Sequence, residues 1–413
     1  MNYRISRLMV RSDQPAKRES GISFLPAVSL CVLLTTFSLI SCGGGGGGES
    51  AGEAPPPANA ELVIGAVREI GAVSQNPAIL NRDCGFSAVF QGQSVWLFGD
   101  TVLDVPGAEN VEMISNSLSC TFDIDAGDGL AAFSDMVDPV GAPATFFPLT
   151  EDEIAYNKRH VGEFCEEEPC NAGWLIWPGT IIVDDDKELA YVFYHKVMNL
   201  PGPWNFKHVG HSIAVWKSPA EPPERPVFNI VESDPTLLFP ENGEPGFGSA
   251  AVVLDKDVFV YGCELDAATL TKPCHVARVP VANILDKTAW LFYTGDGNWS
   301  SDPMQSQEIF NGSEMMSVSF NPYINRFVVV HSEPLGATAM IRTAPHPEGP
   351  WSAPTKLFSV DAPENSNGWV YDFLAHPEFS QDNGRIMYIT YSKKIDELYS
   401  ELRLVAIELE LSQ

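Results

Sequence analysis

The sequence predicts an all-β chain built around a five-bladed β-propeller, and three observations carry that expectation. No long stretch shows a helical apolar period; short β-branched and aromatic runs alternate with Gly, Asn, Asp and Pro, which is strand and turn chemistry. The runs SVWLFGD (94–100), TIIVDDDKELAYVFYHKV (180–197), AAVVLDKDVFVYGCE (250–264), FNPYINRFVVVHS (320–332) and RIMYITYS (385–392) include hairpins in plain view. These units repeat one another: a small or polar start, an apolar strand, an acidic or amide turn, then an aromatic strand.

From the N-terminus, residues 1–41 read as a targeting segment and stay outside the fold argument. Arg4, Arg7, Arg11, Lys17 and Arg18 form a basic n-region, and Phe24 to Ile40 is almost free of charge. The segment ends in Leu39-Ile40-Ser41-Cys42, a lipobox in which the Cys42 sulfur takes the lipid. Gly43 to Gly48 follow at once and make a flexible tether, continued by the Ala, Pro and Glu-rich residues 49–60. No basic stop-transfer flank follows the apolar run, which argues for cleavage rather than a retained span. The expected organisation is signal peptide 1–41, lipidated Cys42 and linker 42–60, and propeller 61–413. Gly43 is not an inner-membrane retention aspartate, so the expected location is the extracytoplasmic cell envelope, at the outer membrane where two membranes exist.

Residues 42–413 carry a net charge near −32. A chain this acidic repels nucleic acid and anionic lipid, so the membrane is met only through the lipid anchor. Neutral or cationic ligands remain open. No cofactor is expected, and a structural calcium, which takes oxygen ligands, is the one ion the composition suits. The chain is read as a monomer.

Six cysteines remain beyond Cys42, an even number that suggests disulfides in an exported chain. Cys165 and Cys170 flank a short acidic loop, and Cys263 and Cys274 flank a hairpin, which leaves Cys84 for Cys120. No Cys-x-x-Cys pair occurs and no histidines cluster near these cysteines, which argues against zinc.

The five blade starts fall near Cys84-Gly85, Trp177-Pro178-Gly179, Gly246-Phe247-Gly248, Gly312-Ser313-Glu314 and Trp369-Val370-Tyr371. Their spacings, roughly 94, 69, 66 and 57 residues, suit four-stranded blades, with an insertion around 135–172 lengthening the first. In a propeller the innermost strands line a shared channel, so polar groups at their starts converge. Those groups are Asp83, Asp100, Thr180, Ser249, Glu314, Asp372 and His376. Glycoside hydrolysis needs two carboxyl groups flanking the scissile bond, and crowding raises the pKa of one of them, as a general acid requires. Asp83, Asp100 and Glu314 are the candidate catalytic carboxylates; Thr180, Ser249, Asp372 and His376 are candidate substrate contacts. Trp96, Trp177, Trp290 and Trp369 read as core or blade-junction residues before sugar-stacking platforms.

NRDCGFSAVFQGQSVWLFGDT (81–101) resembles the opening of a bacterial propeller family long known only as a domain of unknown function, whose members include endo-D-arabinofuranases. The similar features are Asp-x-Gly at the first strand, an apolar hairpin and Phe-Gly-Asp-Thr, followed by FGSAAVV with VYGCE, VARVP (276–280) and FNPYINRFVVV. TAPHPEGPWSAP (343–354) resembles a Gly-Pro-Trp segment of five-bladed arabinanase- and xylosidase-type glycosidases. The resemblance spans roughly residues 75–411 and implies a glycoside hydrolase acting on a furanose-containing glycan, with Asp83 as the blade-one carboxylate, Asp100 beside it and Glu314 as acid. Cys84, Cys120 and the acidic insert around Cys165 depart from the pattern and bear on the substrate more than on the fold. The competing expectation is a non-catalytic glycan-binding or surface-assembly propeller, since fold alone does not fix function.

Overall fold

A strand with apolar residues at both parities must be covered on both faces of its sheet. The structure, a computed structural model, meets that demand; it describes residues 61–412 except 109–110, 161–164, 203–204, 242, 267, 334–335, 362–368 and 397–398. The targeting segment, Cys42 and the linker through Ala60 lie outside the described residues.

Five antiparallel sheets form the blades. Blade one runs outward from Cys84–Phe90 through Gln93–Phe98 and Ser117–Thr121 to Ser134–Asp135. Blade two comprises Gly173–Asp184, Leu189–Asn199, Phe206–Trp216 and Phe239–Pro240, and blade four Met316–Asn321, Arg326–Ser332, Thr338–Ala344 and Thr355–Ser359. Blade three begins with Ala250–Leu254, Asp257–Cys263 and Pro273–Pro280 and ends in the short strands Leu291–Tyr293 and Trp299–Ser300. Blade five takes Val370–Ala375, Ile386–Lys394 and Ser400–Leu411 from the C-terminus and its outermost strand, Leu62–Ala72, from the N-terminus. That last pairing runs from Leu62↔Leu411 to Ala72↔Arg403 with two register shifts, so the first strand of the domain closes the ring. The five inner strands neighbour one another in cyclic order, blade five returning to blade one.

The second strand of each blade shows why the ring holds. In Gln93–Phe98, Val95 and Leu97 pack into the core shared with blade two, while Trp96 and Phe98 pack into the core shared with blade five. Leu189–Asn199 sends Val192 and Tyr194 toward blade one and Tyr191 and Phe193 toward blade three. Asp257–Cys263 divides Val258 and Val260 from Phe259 and Tyr261 in the same way. Five inter-blade cores result, and each buried aromatic among them is worth several kcal/mol; large-to-Ala changes at such sites cost about 3–5 kcal/mol.

The insertion between blades one and two carries one α-helix, Glu151–His160, acidic in its first turn and basic in its last, as the helix dipole favours. It is fixed to blade two by a buried, charge-balanced network. Lys196 Nζ lies 2.5 Å from Glu153 and 2.6 Å from Asp234, and Arg225 holds both Glu153 oxygens at 2.6 and 3.0 Å.

Disulfides join Cys165 to Cys170 and Cys263 to Cys274, the second across directly paired strand positions. The expected third bridge is not formed: Cys84 and Cys120 are free thiols. Cys84 pairs with Phe98, whereas Cys120 pairs with Val95, so the two sit two strands apart and three residues out of step. Neighbouring strands are about 4.8 Å apart, which puts the thiols beyond disulfide reach.

Candidate active site

The inner strands of all five blades begin at one end of the channel, and the carboxylates of blades one and five meet there. Asp83 immediately precedes the inner strand of blade one, and Asp100 follows its second strand. Gly99 lies between them in the Phe-Gly-Asp-Thr segment for a packing reason: a Cβ there would overlap the Asp83 Oδ1 atom and press on the Cys84 sulfur at 3.0 Å. The Gly99 N–H donates to the Asp83 carbonyl (3.0 Å), and the Thr101 hydroxyl donates to the Gly99 carbonyl (2.9 Å).

Blade five brings Asp372 to the same point. The Cys84 N–H donates to Asp372 Oδ2 at 2.9 Å, and the Tyr371 hydroxyl donates to Asp83 Oδ2 at 3.2 Å. Donor atoms of Asp83, Cys84 and Asp372 all lie within 4.8 Å of one another. Cys84 and Asp372 both adopt left-handed backbone, φ 65° and 57°, a conformation that non-glycine residues avoid and that clusters at functional sites. Trp177 of blade two donates its indole N–H to Asp100 Oδ1 at 2.9 Å.

The electrostatics follow from this crowding. Burial pushes Asp83 up to about 7, and the Asp372 charge adds to it. Burial likewise raises Asp100 to about 7 with help from Asp83, and Asp372 to about 7 against the opposing Cys84 N–H and Lys272. Arg82, the neighbour that could have neutralised Asp83, turns away: its guanidinium is buried over the Phe98 ring and pairs with Asp135 at 3.3 Å. The cluster therefore keeps carboxyl protons near neutral pH. The Cys84 thiol, pushed well up by burial and by Asp83, stays protonated.

The remaining expected residues divide. Glu314 stands at the rim, half exposed, ion-paired to Lys272 Nζ at 2.7 Å and close enough to Asp372 to raise it. Thr180 lies on the inner strand of blade two and Ser249 immediately precedes that of blade three; the Thr180 N–H donates to the Gly248 carbonyl (3.0 Å), and Ser249 itself is buried. His376 does not reach the funnel. It follows the far end of its inner strand, stacks 4.4 Å from the Trp96 ring, and bonds Ser87 and Thr390 at 2.6 and 2.7 Å. Burial pushes it down to about 3, so it is a neutral core histidine. Asp372 and His376 are close in sequence, yet four residues of strand carry the chain about 13 Å down the channel.

Trp96 and Trp290 are fully buried, as expected, whereas Trp369 is 43% exposed beside Tyr371. Tyr371, Lys272 and Cys84 are site residues that sequence reasoning passed over. Tyr371 adjoins a chosen aspartate. Lys272 sits in a hairpin loop with nothing local to mark it. One set of His, Cys, Asp and Glu donors converges among the described residues, Asp83, Cys84 and Asp372, and its thiol does not suit calcium, which takes oxygen ligands.

A ring of five antiparallel blades with buried carboxyl groups at one mouth defines a five-bladed β-propeller. The family profile described as a domain of unknown function, DUF5005, matches residues 83–402, and the chain belongs to that family. No curated protein sequence matches it. Among solved structures it is similar to a Bacteroides ovatus ATCC 8483 protein carrying a provisional hydrolase name, at TM-score 0.53 and 16% identity over 78% of this chain and 85% of that one. It is also similar to the GH43_1 enzyme of Xanthomonas citri (TM-score 0.44, 12% identity, 82% and 90% covered) and to an α-L-arabinofuranosidase of Clostridium thermocellum ATCC 27405 (TM-score 0.41, 13% identity, 75% and 82% covered). At these identities the likeness is one of fold.

Proposed function

We propose that this protein is a lipid-anchored, extracytoplasmic glycoside hydrolase acting on a furanose-containing glycan of the arabinan type. The observation that carries the reading is the approach of Asp83 to Asp372 within 4.8 Å, with both carboxyls held up to about 7. Two carboxyl groups this close resist ionising together, so near neutral pH the floor of the funnel offers an ionised carboxylate and an acid side by side. In the proposed reaction the ionised floor carboxylate acts at the anomeric carbon, directly or by taking a proton from water. A protonated carboxyl, with Glu314 as the rim candidate, delivers a proton to the departing glycosidic oxygen. Trp177 and Tyr371 orient Asp100 and Asp83 through the bonds already described. The acidic funnel disfavours uronic and sulfated sugars, and the sequence resemblance of residues 81–101 supports a furanose substrate.

One observation favours a non-catalytic glycan-binding propeller instead: Glu314, the candidate acid, is tied to Lys272. The deciding experiment screens the protein against arabinans, arabinogalactan and other polysaccharides and reads released oligosaccharides. Cleavage that Asp83→Asn abolishes supports the hydrolase; binding without cleavage by the wild type overturns it in favour of the second reading. Chelation that lowers the melting temperature would support a structural calcium.

A further inference from the structure

A polar cleft opens on blade three beside Gly246, where blade two packs against it. Blade two carries three histidines near this contact. His195 and His211 are direct cross-strand partners with rings 4.4 Å apart, and His208 lies 6.3 Å from His195. None of the three side chains has a hydrogen-bond partner among the described residues. His211 is the informative one, because it is 8% exposed and makes no hydrogen bond to the described residues. It faces blade three at Gly246, where a Cβ would overlap both its ring and the Glu264 carboxylate. Glycine at this position thus lets an unpartnered imidazole and a carboxylate face one space.

Glu264 accepts the Gly246 N–H at 2.6 Å and leans on a cavity of about 250 Å³ lined also by Pro245, Gly262, Pro273, His275 and Met304. Glu241 joins from the other side; its N–H bonds the Val209 carbonyl next to His208, and its charge is felt by both His208 and Glu264. Among the described residues neither Glu241 nor Glu264 has a lysine or arginine within ion-pair distance. The nearby ammonium of Lys272 is committed to Glu314 at 2.7 Å. The histidines supply no compensating charge, since burial holds His195 well below its usual range and His211 down to about 3.

We propose that this cleft is a subsite for a sugar bearing a protonated amino group, its ammonium held by Glu264 and Glu241 with the neutral His211 ring accepting a further hydrogen bond. The inference rests on the hydrolase reading and adds a substrate class to it: a glycan containing an unacetylated amino sugar. A metal ion is the poorer occupant. Zinc draws its ligands to about 2.0–2.2 Å, and the histidine nitrogens do not converge, the only such trio among the described residues being Asp83, Cys84 and Asp372. An ammonium needs only acceptors at about 2.7–2.9 Å arranged around it, which separate strands and loops can provide.

The test is calorimetric titration of the protein with glucosamine, N-acetylglucosamine and glucose at pH 6.5, where the amine is charged, at low and high salt. Glucosamine is expected to bind at least tenfold more tightly than the two neutral sugars, less so in high salt. Glu264→Gln, which keeps the Gly246 bond, should erase the preference, and His211→Asn should reduce it. Equal affinity for all three sugars overturns the proposal, as does a preference that survives Glu264→Gln together with Glu241→Gln. Zinc binding that His211→Asn abolishes, without amine binding, also overturns it. Cleavage of neutral glycans without amine preference would remove this inference and leave the hydrolase; amine preference without cleavage of any glycan would do the reverse.

Discussion

The main-chain N–H of Cys84 donates to the carboxylate of Asp372 at 2.9 Å, across 288 residues of sequence and the boundary between the first and last blades. The contact joins two left-handed residues, and it lies at the seam that the N-terminal strand closes from outside. Ring closure and site assembly are thus mechanically one event, and the predictions below follow from it.

Replacing Asp83 or Asp372 by Asn should cost about 10²–10⁴-fold in turnover on whichever glycan the wild type cleaves, the usual worth of acid–base help. Secondary structure by circular dichroism should be unchanged. Turnover within a factor of three of wild type for both variants would remove these carboxyls from the chemistry.

The same substitutions should stabilise the fold at alkaline pH. Asp83, Asp100 and Asp372 sit near 7 when folded, against 3.8 as their ordinary value, so the folded state holds protons that the unfolded state releases. Their contribution to stability is fully present below about 3.8 and is lost as pH rises through about 7. Melting temperatures of the wild type should therefore fall between pH 5 and 8 more steeply than those of Asp83→Asn, measured by calorimetry. Parallel curves would show that the cluster is not strained by its charge.

Glu153 has the opposite sign. Burial opposes its charge, yet Arg225 and Lys196 outweigh that and hold it down to about 2. Its stabilisation is present above its ordinary 4.5 and disappears as pH falls toward 2. Glu153→Gln leaves two buried cations facing Asp234 alone, and breaking such a network costs about 3–5 kcal/mol. Chemical denaturation at pH 7 should show that loss; a change under 1 kcal/mol would mean that the helix is held by other contacts.

Thiol accounting separates Cys84 and Cys120 from the bridged cysteines. Alkylation of the folded protein should spare Cys84, which is 2% exposed with its thiol pushed well up, and alkylation after unfolding without reductant should label both. A Cys84–Cys120 peptide in an unreduced digest would contradict the strand register.

At the N-terminus, Cys42→Ala should abolish palmitate labelling of the expressed chain. Labelling that persists would place the anchor elsewhere.

The sequence by itself determined the propeller. In VWLF, AYVFY and FVVV every residue is apolar, and a strand with no polar parity must lie between two neighbours. The turn residues set the hairpins, and their recurrence set the count of blades. Asp83 and Asp100 were legible because short motifs place them at strand ends. What the tertiary structure alone decided is who meets whom. Asp372 became a member of the floor only because ring closure brings blade five against Cys84, and His376, four residues on, was carried into the core by the strand between them. Lys272 reached Glu314, and Glu264 approached His211, through loops whose paths no local pattern encodes. The free Cys84 and Cys120 make the same point, since pairing thiols depends on strand register rather than on their number. Local chemistry fixes strands, turns and their period. The distance between side chains far apart in sequence is fixed by how five sheets close on one axis.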